Sequence, residues 1–566
     1  MRLFPRGMFE TYADDDTFCS ARIADTPGVH ANDDIFYKLG DGGQVVWVVS
    51  RTCDHAGGKL RLDKENKTAT CPMHGWRLSL NTLSYENVQV CKQVLEFNQV
   101  GKILEYRLPK IHLRFPKNLN LGRPVNVAIR FLAHACVEIR IGGVSIITDP
   151  WLVGPCFTTG WWHSVAPPDD ALDILAGADM VYISHNHPDH MHGETLRCLD
   201  RNKPMVVPDF ESGSVTSMLR GWGFRDVRPL DFGHIFEVEQ SGVYLSLLRA
   251  GDFRDDSGLV VAHGDFTAVL TVDSNRLNQL ALPVRPSILL TSFAGGATGY
   301  PLCFERYGQE QKDAVVARNR NAILSVVDEY VSVCDPLAYM PYAGYFMEYA
   351  ARDSYIRTHN RKNSAADAIA YVTRKHEDLL GIDPTVTDQI FWRDGAFETS
   401  ASHRAPLAEV NTAFADHWMS RIDVPRAAYD AGVVSRYFAG SGFRDSLILY
   451  LVPTDDDFCP IQDAEGFVID FRKGPSVIPC ASAGDVDEQY VQDAPDSSAE
   501  LRRMRIRIRI GSLMRLAADG LPWEDALIGF QCRVHRTPDI YNSRFWFHFT
   551  NSYIGEKALS RRVIAS

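Results

Sequence analysis

At 566 residues the chain is too long for one hydrophobic core; at ~100–200 residues per domain it divides into three or four. A composition of 45% hydrophobic and 23% charged residues, with 41 Gly and 29 Pro, excludes collagen, coiled coil and bulk disorder. The net charge of −12 argues against a protein that tracks nucleic-acid phosphates, while leaving room for a local basic pocket for one anionic substrate.

The first residues run into Asp14-Asp15-Asp16 where an export signal would be apolar, and no apolar run approaches the ~18 residues of a membrane span. The expectation is a soluble, cytoplasmic protein with no membrane or nucleic-acid partner. Twelve cysteines from Cys19 to Cys532 are too sparse for a disulfide scaffold, and most read as buried thiols.

Cys53 and Cys71 differ from the others. Cys53-Asp54-His55 is followed after fifteen residues by Cys71-Pro72-Met73-His74, with Gly57-Gly58 behind the first pair and Gly75-Trp76 behind the second. Val45 to Val49 reads as a strand leading into the first loop, and Thr68 to Thr70 as a short strand leading into the second. Two hairpin loops thus bring two thiolates and two imidazoles to one point. A structural zinc is one reading, but zinc sites usually pair Cys with Cys and His with His. One of each per loop resembles a Rieske domain, in which Cys53 and Cys71 would bind one iron of a 2Fe-2S cluster and His55 and His74 the other. Such a cluster relays electrons and needs a source and a sink.

Further on, Val125 to Leu132, His134 to Ile141 and Val144 to Thr148 read as strands before Asp149-Pro150. The buried strand Met180 to Ile183 then enters Ser184-His185-Asn186-His187-Pro188-Asp189-His190-Met191-His192, and a helix is expected from Glu194. His185, His187, Asp189 and His190 place four ligand-capable side chains in six positions, enough for one or two metal ions if later strands add ligands. The bland alternative is a His-rich exposed loop.

The arrangement resembles the metallo-β-lactamase fold, an αβ/βα sandwich. That resemblance implies a carboxylate after the strand Ala268 to Thr271, which Asp273 supplies. It also implies a third histidine where this chain has Arg249 to Asp256; Asp252 is the first candidate to replace it, before Asp255 and Asp256. The last family histidine has no counterpart in Met340 to Tyr345, and His263, beside a Gly264-Asp265 turn, reads as exposed. His134 and Asp149 fall near the site as ligands or as partners orienting the imidazoles. An oxygen-richer donor set suits iron, mono- or dinuclear, better than a hydrolytic zinc pair.

Hydrolysis is redox-neutral and has no use for a cluster, whereas O2 activation at iron consumes electrons. The pairing favours a monooxygenase; a metal-dependent hydrolase with a redox-sensing Rieske domain is the alternative. Asp149 to Cys156 with Gly160-Trp161-Trp162, Ser184 to His190, Phe293 to Pro301, Pro341 to Phe346, Trp523 to Gln531, and Pro538 to Tyr541 with Phe545 to Phe549 resemble the CMP-N-acetylneuraminate hydroxylase family. The resemblance implies O2-dependent hydroxylation of the N-acetyl group of a CMP-sialic acid, or oxidation of a related N-acyl or amino substrate. It also implies electrons from a ferredoxin or b-type cytochrome with its reductase.

The fold expected is multidomain α/β. A β-rich Rieske domain spans 1–115, a metallo-β-lactamase-like catalytic domain 122–355, and an α+β accessory region, resembling a sterol-carrier module, 356–566. The glycine-rich Phe293 to Pro301 loop and Trp161-Trp162 are candidates for the substrate pocket or for plain packing. Arg352, Arg357, Arg361 and Lys362 are candidate phosphate or carboxylate binders that otherwise face solvent. Arg502, Arg503, Arg505, Arg507 and Arg509 alternate with apolar residues as an edge or half-buried strand with a solvated basic face. That face is a candidate dock for an acidic carrier or the anionic substrate.

Overall fold

The computed structural model describes residues 1–13, 18–54, 59–65, 67–71, 76–86, 90–108, 111–119, 121–252, 254–401, 412–422 and 428–557. Its centre is a sandwich of two eight-stranded sheets. In spatial order the first sheet runs Val227–Leu230, Met205–Pro208, Met180–Tyr182, Val144–Thr148, Cys136–Ile141, Val127–Ala133, Thr387–Arg393 and Ala396–Ala401. The second runs Leu3–Met8, His234–Val238, Val243–Arg249, Ser257–His263, Phe266–Leu270, Ile288–Thr291, Ala338–Pro341 and Leu380–Gly381.

Strand periodicity explains the layering. Ile146, Met180 and Tyr182 point into the core between the sheets, while their neighbours Ile147, Val181 and Ile183 point to the other face. There they meet Leu175 of the helix Ala171–Gly177 and Val215 and Leu219 of the helix Ser214–Gly221. A strand buried on both faces reads as continuous apolar sequence, as Met180 to Ile183 does. The 26-residue helix Gln309–Cys334 packs on the strand Ile288–Thr291 of the second sheet.

Two boundaries differ from the sequence expectation. The first six-residue strand, Leu3–Met8, pairs antiparallel with His234–Val238 of the sandwich and not with the N-terminal module. At the other end, Thr387–Arg393 pairs with Val127–Ala133, so the sandwich continues to Ala401, past the expected limit at 355. Strand pairing is non-local, and neither addition carries a marker in its own residues.

Three small sheets form the N-terminal module: Gly28–Ala31, Ile35–Leu39 and Val45–Ser50; Phe97–Val100, Ile103–Arg107 and Phe18–Arg22; and Arg61–Asp63, Thr68–Thr70 and Arg77–Ser79. Its core rests on Ala322 and Ile323 of the long helix and on Tyr541.

The C-terminal region is a five-stranded mixed sheet ordered Ser476–Cys480, Gly466–Asp470, Leu447–Thr454, Arg502–Arg509 and Cys532–Thr537. The arginine-rich strand is therefore interior, parallel to Leu447–Thr454 and antiparallel to Cys532–Thr537, and not an edge. Met504, Ile506 and Ile508 enter the main core as the alternation requires. The basic face is not solvated. Arg505 and Arg507 both pair with Glu305 and with Asp487 of the helix Ala483–Asp493, and Arg502 pairs with Asp445. These guanidinium groups are engaged within the chain, which removes the expected dock for an acidic carrier.

His263, expected exposed, is buried, and its Nδ1 lies 2.8 Å from the carbonyl of Gly242, away from the metal-binding loop. His163 is buried as well, stacked on Trp151 at 4.0 Å with its Nε2 donating to the Trp151 carbonyl at 2.9 Å. Burial pulls its pKa down to about 3, so the folded ring stays neutral while the unfolded chain takes up a proton below about 6.5. This contribution is fully present above the unfolded pKa and is lost as pH falls toward 3, at ~1.4 kcal/mol per unit. Urea unfolding at pH 5 should therefore show ~2 kcal/mol less stability than at pH 7 from this residue. The drop should be smaller in His163→Gln, and equal slopes in the two proteins would refute it.

Candidate metal centre and its electron relay

The sequence run that suggested a metal site lies in the loop after Met180–Tyr182, at one end of the sandwich. His134 joins it from the turn between Val127–Ala133 and Cys136–Ile141, where its backbone adopts φ of 47°. Asp273 arrives from the loop after Phe266–Leu270. Three overlapping groups each bring their ligand atoms within 4.8 Å of one another: His134, Asp189 and His190; His185, His187 and Asp189; and His185, His190 and Asp273. Of the sequence candidates, His185, His187, Asp189, His190 and Asp273 thus converge, and His134 stands among them.

The distances give each ring an inner and an outer nitrogen. His190 Nε2 lies 3.2 Å from Asp189 Oδ2 and 3.4 Å from Asp273 Oδ2, while its Nδ1 donates to Asp149 Oδ2 at 3.0 Å. Asp149 is fixed in turn by the backbone N–H and hydroxyl of Ser184, both at 2.7 Å. It is therefore an orienting partner one step out from the cluster. His185 Nε2 meets His187 Nδ1 at 2.9 Å, and its outer Nδ1 faces Ser184 Oγ at 2.9 Å.

The donor set fits a cation. His134 Nε2, His190 Nε2 and Asp189 Oδ1 are buried without a hydrogen-bond partner, although His134 Nε2 is 3.1 Å from Asp189 Oδ2. Burial opposes ionisation of Asp189, yet His190 and His134 hold its pKa well below the carboxylate range. Burial likewise opposes protonation of His190, but Asp189, Asp273 and Asp149 hold its pKa well above the usual imidazole value. Carboxylates that attract positive charge this strongly in a buried cluster are what a metal cation requires.

Asp252 does not join them. Its carboxylate is drawn to Arg254, with Nε at 2.9 Å, and Arg254 also reaches Asp256 at 3.2 Å. A guanidinium two residues away satisfies Asp252 locally. Asp256 lies nearer the cluster, 3.7 Å from His185 Nδ1. His192 is structural, with its Nδ1 accepting from Thr195 at the start of the helix Gly193–Leu196.

Glu524 was not legible in the sequence. It opens the short helix Glu524–Ile528 of the C-terminal region, and its Oε2 lies 3.4 Å from His187 Nε2. It stands in the Trp523 to Gln531 segment that carries the resemblance, but nothing there singles it out as a site residue, and only the packing of the C-terminal region on the loop brings it to His187. That packing is tight: Asn186 Nδ2 donates to the Thr550 carbonyl at 2.8 Å, and Trp161 Nε1 to the Ile528 carbonyl at 3.1 Å. Gly160 is required beneath it, because a Cβ there would stand 2.1 Å from the Gly529 oxygen.

A cavity of about 140 Å³ opens on His134, His187, Asp189 and Asp273. Trp161, Phe293, Phe346 and the Gly295-Gly296-Ala297-Thr298 segment line it, with both glycines at φ near 70°. The glycine-rich loop and Trp161 are therefore pocket walls, whereas Trp162 is buried beside Tyr349. Arg254 is the one cationic side chain among the lining residues, and it is already ion-paired. The candidate phosphate binders lie elsewhere. Arg352 pairs with Asp456, Arg357 donates to the Glu348 and Tyr349 carbonyls, and Lys362 pairs with Glu348.

In the N-terminal module Cys53 follows Val45–Ser50 and Cys71 follows Thr68–Thr70, and both are buried in one core with Trp76 and Tyr85. His55 and His74 lie outside the described residues. Two buried thiols at the ends of strands from two different sheets, gathered in one core, fit the cysteine half of the expected cluster. Beside Cys53, the side chain of Lys92 is 3% exposed, with Nζ 2.9 Å from Asp54 Oδ2 and also on the Thr52 carbonyl. Burial lowers the Lys92 pKa, and Asp54 counters that shift. Trp76, two residues beyond His74, lies 6.4 Å from Tyr541, ring centre to ring centre. The relay module and the C-terminal region are thus in contact near the metal-binding loop.

Comparison with known proteins agrees with this division. Residues 17–98 match the Rieske [2Fe-2S] domain and residues 128–246 a β-lactamase superfamily domain. The chain is a Rieske [2Fe-2S] domain joined to a metallo-β-lactamase-like sandwich and a C-terminal α+β region. Over nearly its whole length it is similar to the cytidine monophosphate-N-acetylneuraminic acid hydroxylases. It is 28% identical to that of Mus musculus over 533 residues, 88% of each chain, and 29% identical to that of Asterias rubens over 524 residues, 88% of this chain and 77% of the other. The resemblance noted in the sequence motifs thus spans the protein. Among solved structures, CmlA, a diiron β-hydroxylase from Streptomyces venezuelae, overlaps 50% of this chain and 55% of its own at 18% identity and a TM-score of 0.31. No helix among the described residues is long and apolar enough to cross a membrane.

Proposed function

We propose that the chain is a Rieske-dependent non-haem iron monooxygenase that hydroxylates the N-acetyl group of a CMP-activated sialic acid, or oxidises a related N-acyl or amino substrate. The observation that carries this reading is the convergence of His134, His185, His187, Asp189, His190 and Asp273 beside a Rieske module. A mixed imidazole and carboxylate set suits iron, which when bound supplies the redox chemistry for O2 activation. The Rieske ligands are Cys53, His55, Cys71 and His74, and the electron pair for each oxygen inserted comes from a ferredoxin or b-type cytochrome with its reductase. The setting is the cytoplasm, where sugar nucleotides and such carriers meet.

The chain's own residues perform three tasks. Asp149, itself held by Ser184, takes the Nδ1 proton of His190, leaving Nε2 to face Asp189 and Asp273. Trp161, Phe293 and Phe346 make apolar walls that keep water from a reactive centre, while Asn275, Asn319 and Ser292 offer polar contacts. A cavity of about 140 Å³ is small beside the ~300–1,000 Å³ typical of ligand pockets, so it suits the acyl end of a substrate and leaves the nucleotide outside it.

The test supplies reduced ferredoxin with its reductase, CMP-N-acetylneuraminate and isotopically labelled O2. The expected product is heavier by one labelled oxygen atom and forms only with both O2 and reductant. Turnover without either would overturn the reading in favour of a hydrolase.

A further inference from the structure

The C-terminal region is where the sandwich's metal-binding loop finds its outermost partner. We propose that Glu524 is a positioning residue for the central metal centre: its carboxylate accepts the Nε2 proton of His187 and thereby turns the Nδ1 lone pair toward the ligand cluster. The proposal deepens the reading of this cluster as a metal centre and rests on it.

The geometry distinguishes the two nitrogens of His187. Nδ1 is 2.9 Å from His185 Nε2 and so faces the cluster, whereas Nε2 is 3.4 Å from Glu524 Oε2 and faces away. An imidazole in water passes its proton between its nitrogens freely, so a ring whose inner nitrogen must be bare needs an acceptor on the outer one. His190 has that acceptor in Asp149, and His185 has Ser184 Oγ. His187 has no such partner within the sandwich among the contacts described, and the C-terminal region supplies it.

Glu524 is itself held. Its backbone N–H donates to Thr550 Oγ1 at 3.3 Å, and the carbonyl of the same Thr550 takes the Asn186 side chain at 2.8 Å. One residue of the C-terminal region thus grips both the carboxylate's backbone and the residue before His187. The side chains of His187 and Glu524 are 12% and 20% exposed, so water competes weakly for the contact. The metal centre therefore spans two parts of the chain, and the C-terminal region helps to build it.

Metal–histidine–carboxylate partners typically contribute ~10–100-fold to metal affinity. The experiment compares the full-length protein with Glu524→Gln, which keeps the shape and an acceptor but loses the charge, and Glu524→Ala, which loses both. Cobalt(II) is the probe at the central centre, read by its visible ligand-field bands and by competition with a chelator. The Rieske absorption and the thermal midpoint report folding. The expected result is weaker cobalt binding in the order wild type, Gln, Ala, spanning ~10–100-fold, with a changed band pattern and unchanged Rieske absorption.

Equal affinity and identical bands in all three proteins would overturn the role of Glu524 while leaving the metal centre standing. No cobalt binding in the wild type would overturn the metal centre and this proposal with it. Weakened binding in a protein that hydroxylates nothing would uphold Glu524 and reject only the proposed reaction.

Discussion

His190→Ala is expected to strip the central centre of iron and to lower O2-dependent turnover by more than ~100-fold, the upper end of what loss of an orienting partner alone costs. His190 is buried at the middle of the cluster, with Nε2 facing Asp189 and Asp273 and its ring centre 4.2 Å from that of His185. Alanine removes the proposed ligand and leaves Asp189 and Asp273 facing each other with less positive charge between them. The Rieske module has a separate core, around Trp47, Leu78 and Tyr85, so its EPR signal after reduction should persist. Iron analysis supplies the check: the variant should lose all iron beyond the two atoms of the cluster. Full iron retention with wild-type turnover would remove His190 from the centre.

Arg509→Met is expected to destabilise the protein by ~3–5 kcal/mol, the usual cost of breaking a buried ion pair from one side. Arg509 and Asp353 have side chains 2% and 1% exposed, with Nη1 and Oδ1 2.6 Å apart. Arg509 also donates to the carbonyls of Arg352 and Asp456 and to Gln531 Oε1. It therefore fastens the arginine-rich strand to the segment that follows the sandwich strand Ala338–Pro341. With methionine there, Asp353 stays buried without its guanidinium partner, and two backbone carbonyls lose a donor. Arg509→Met with Asp353→Asn together should recover much of the loss, because the penalty lies in the unpaired charge. Chemical denaturation of the four proteins of this cycle measures it. A double variant no better than the single one would show that the carbonyl contacts dominate.

These two residues differ in how far sequence reveals them. His190 stands in a run of four ligand-capable side chains within six positions of one loop after a buried strand, and such a cluster is local enough to read directly. Asp273, far from that loop in the chain, is legible only through the resemblance to the metallo-β-lactamase fold, which implies a carboxylate after the strand Ala268 to Thr271. His134 is half legible: its chemistry is plain, but it reads as the first residue of a strand, whereas it sits in the tight turn before that strand, at φ of 47°. Asp252 does not join the cluster because a guanidinium two residues on, Arg254, draws its carboxylate away, and where that side chain comes to rest is not written in the local sequence.

The arginine strand shows the same limit in the fold. Its alternation correctly implies a strand with one apolar face. Whether the other face meets water depends on the helix Ala483–Asp493 and on Glu305, some two hundred residues away, which together cover and neutralise it.

By itself, the sequence determined a Rieske domain and a β-lactamase-like domain, the loops in which His, Cys and Asp side chains cluster, and the alternation that divides the strands between core and surface. Each follows from local spacing, because periodicity and ligand runs are properties of neighbouring residues. Only the tertiary structure decided that the sandwich takes strands from both sides of its expected limits, that buried acids claim the arginines, and that Glu524 reaches a histidine 337 residues away. Those outcomes depend on which buried polar group finds which partner across the whole chain, a condition that no window of sequence contains.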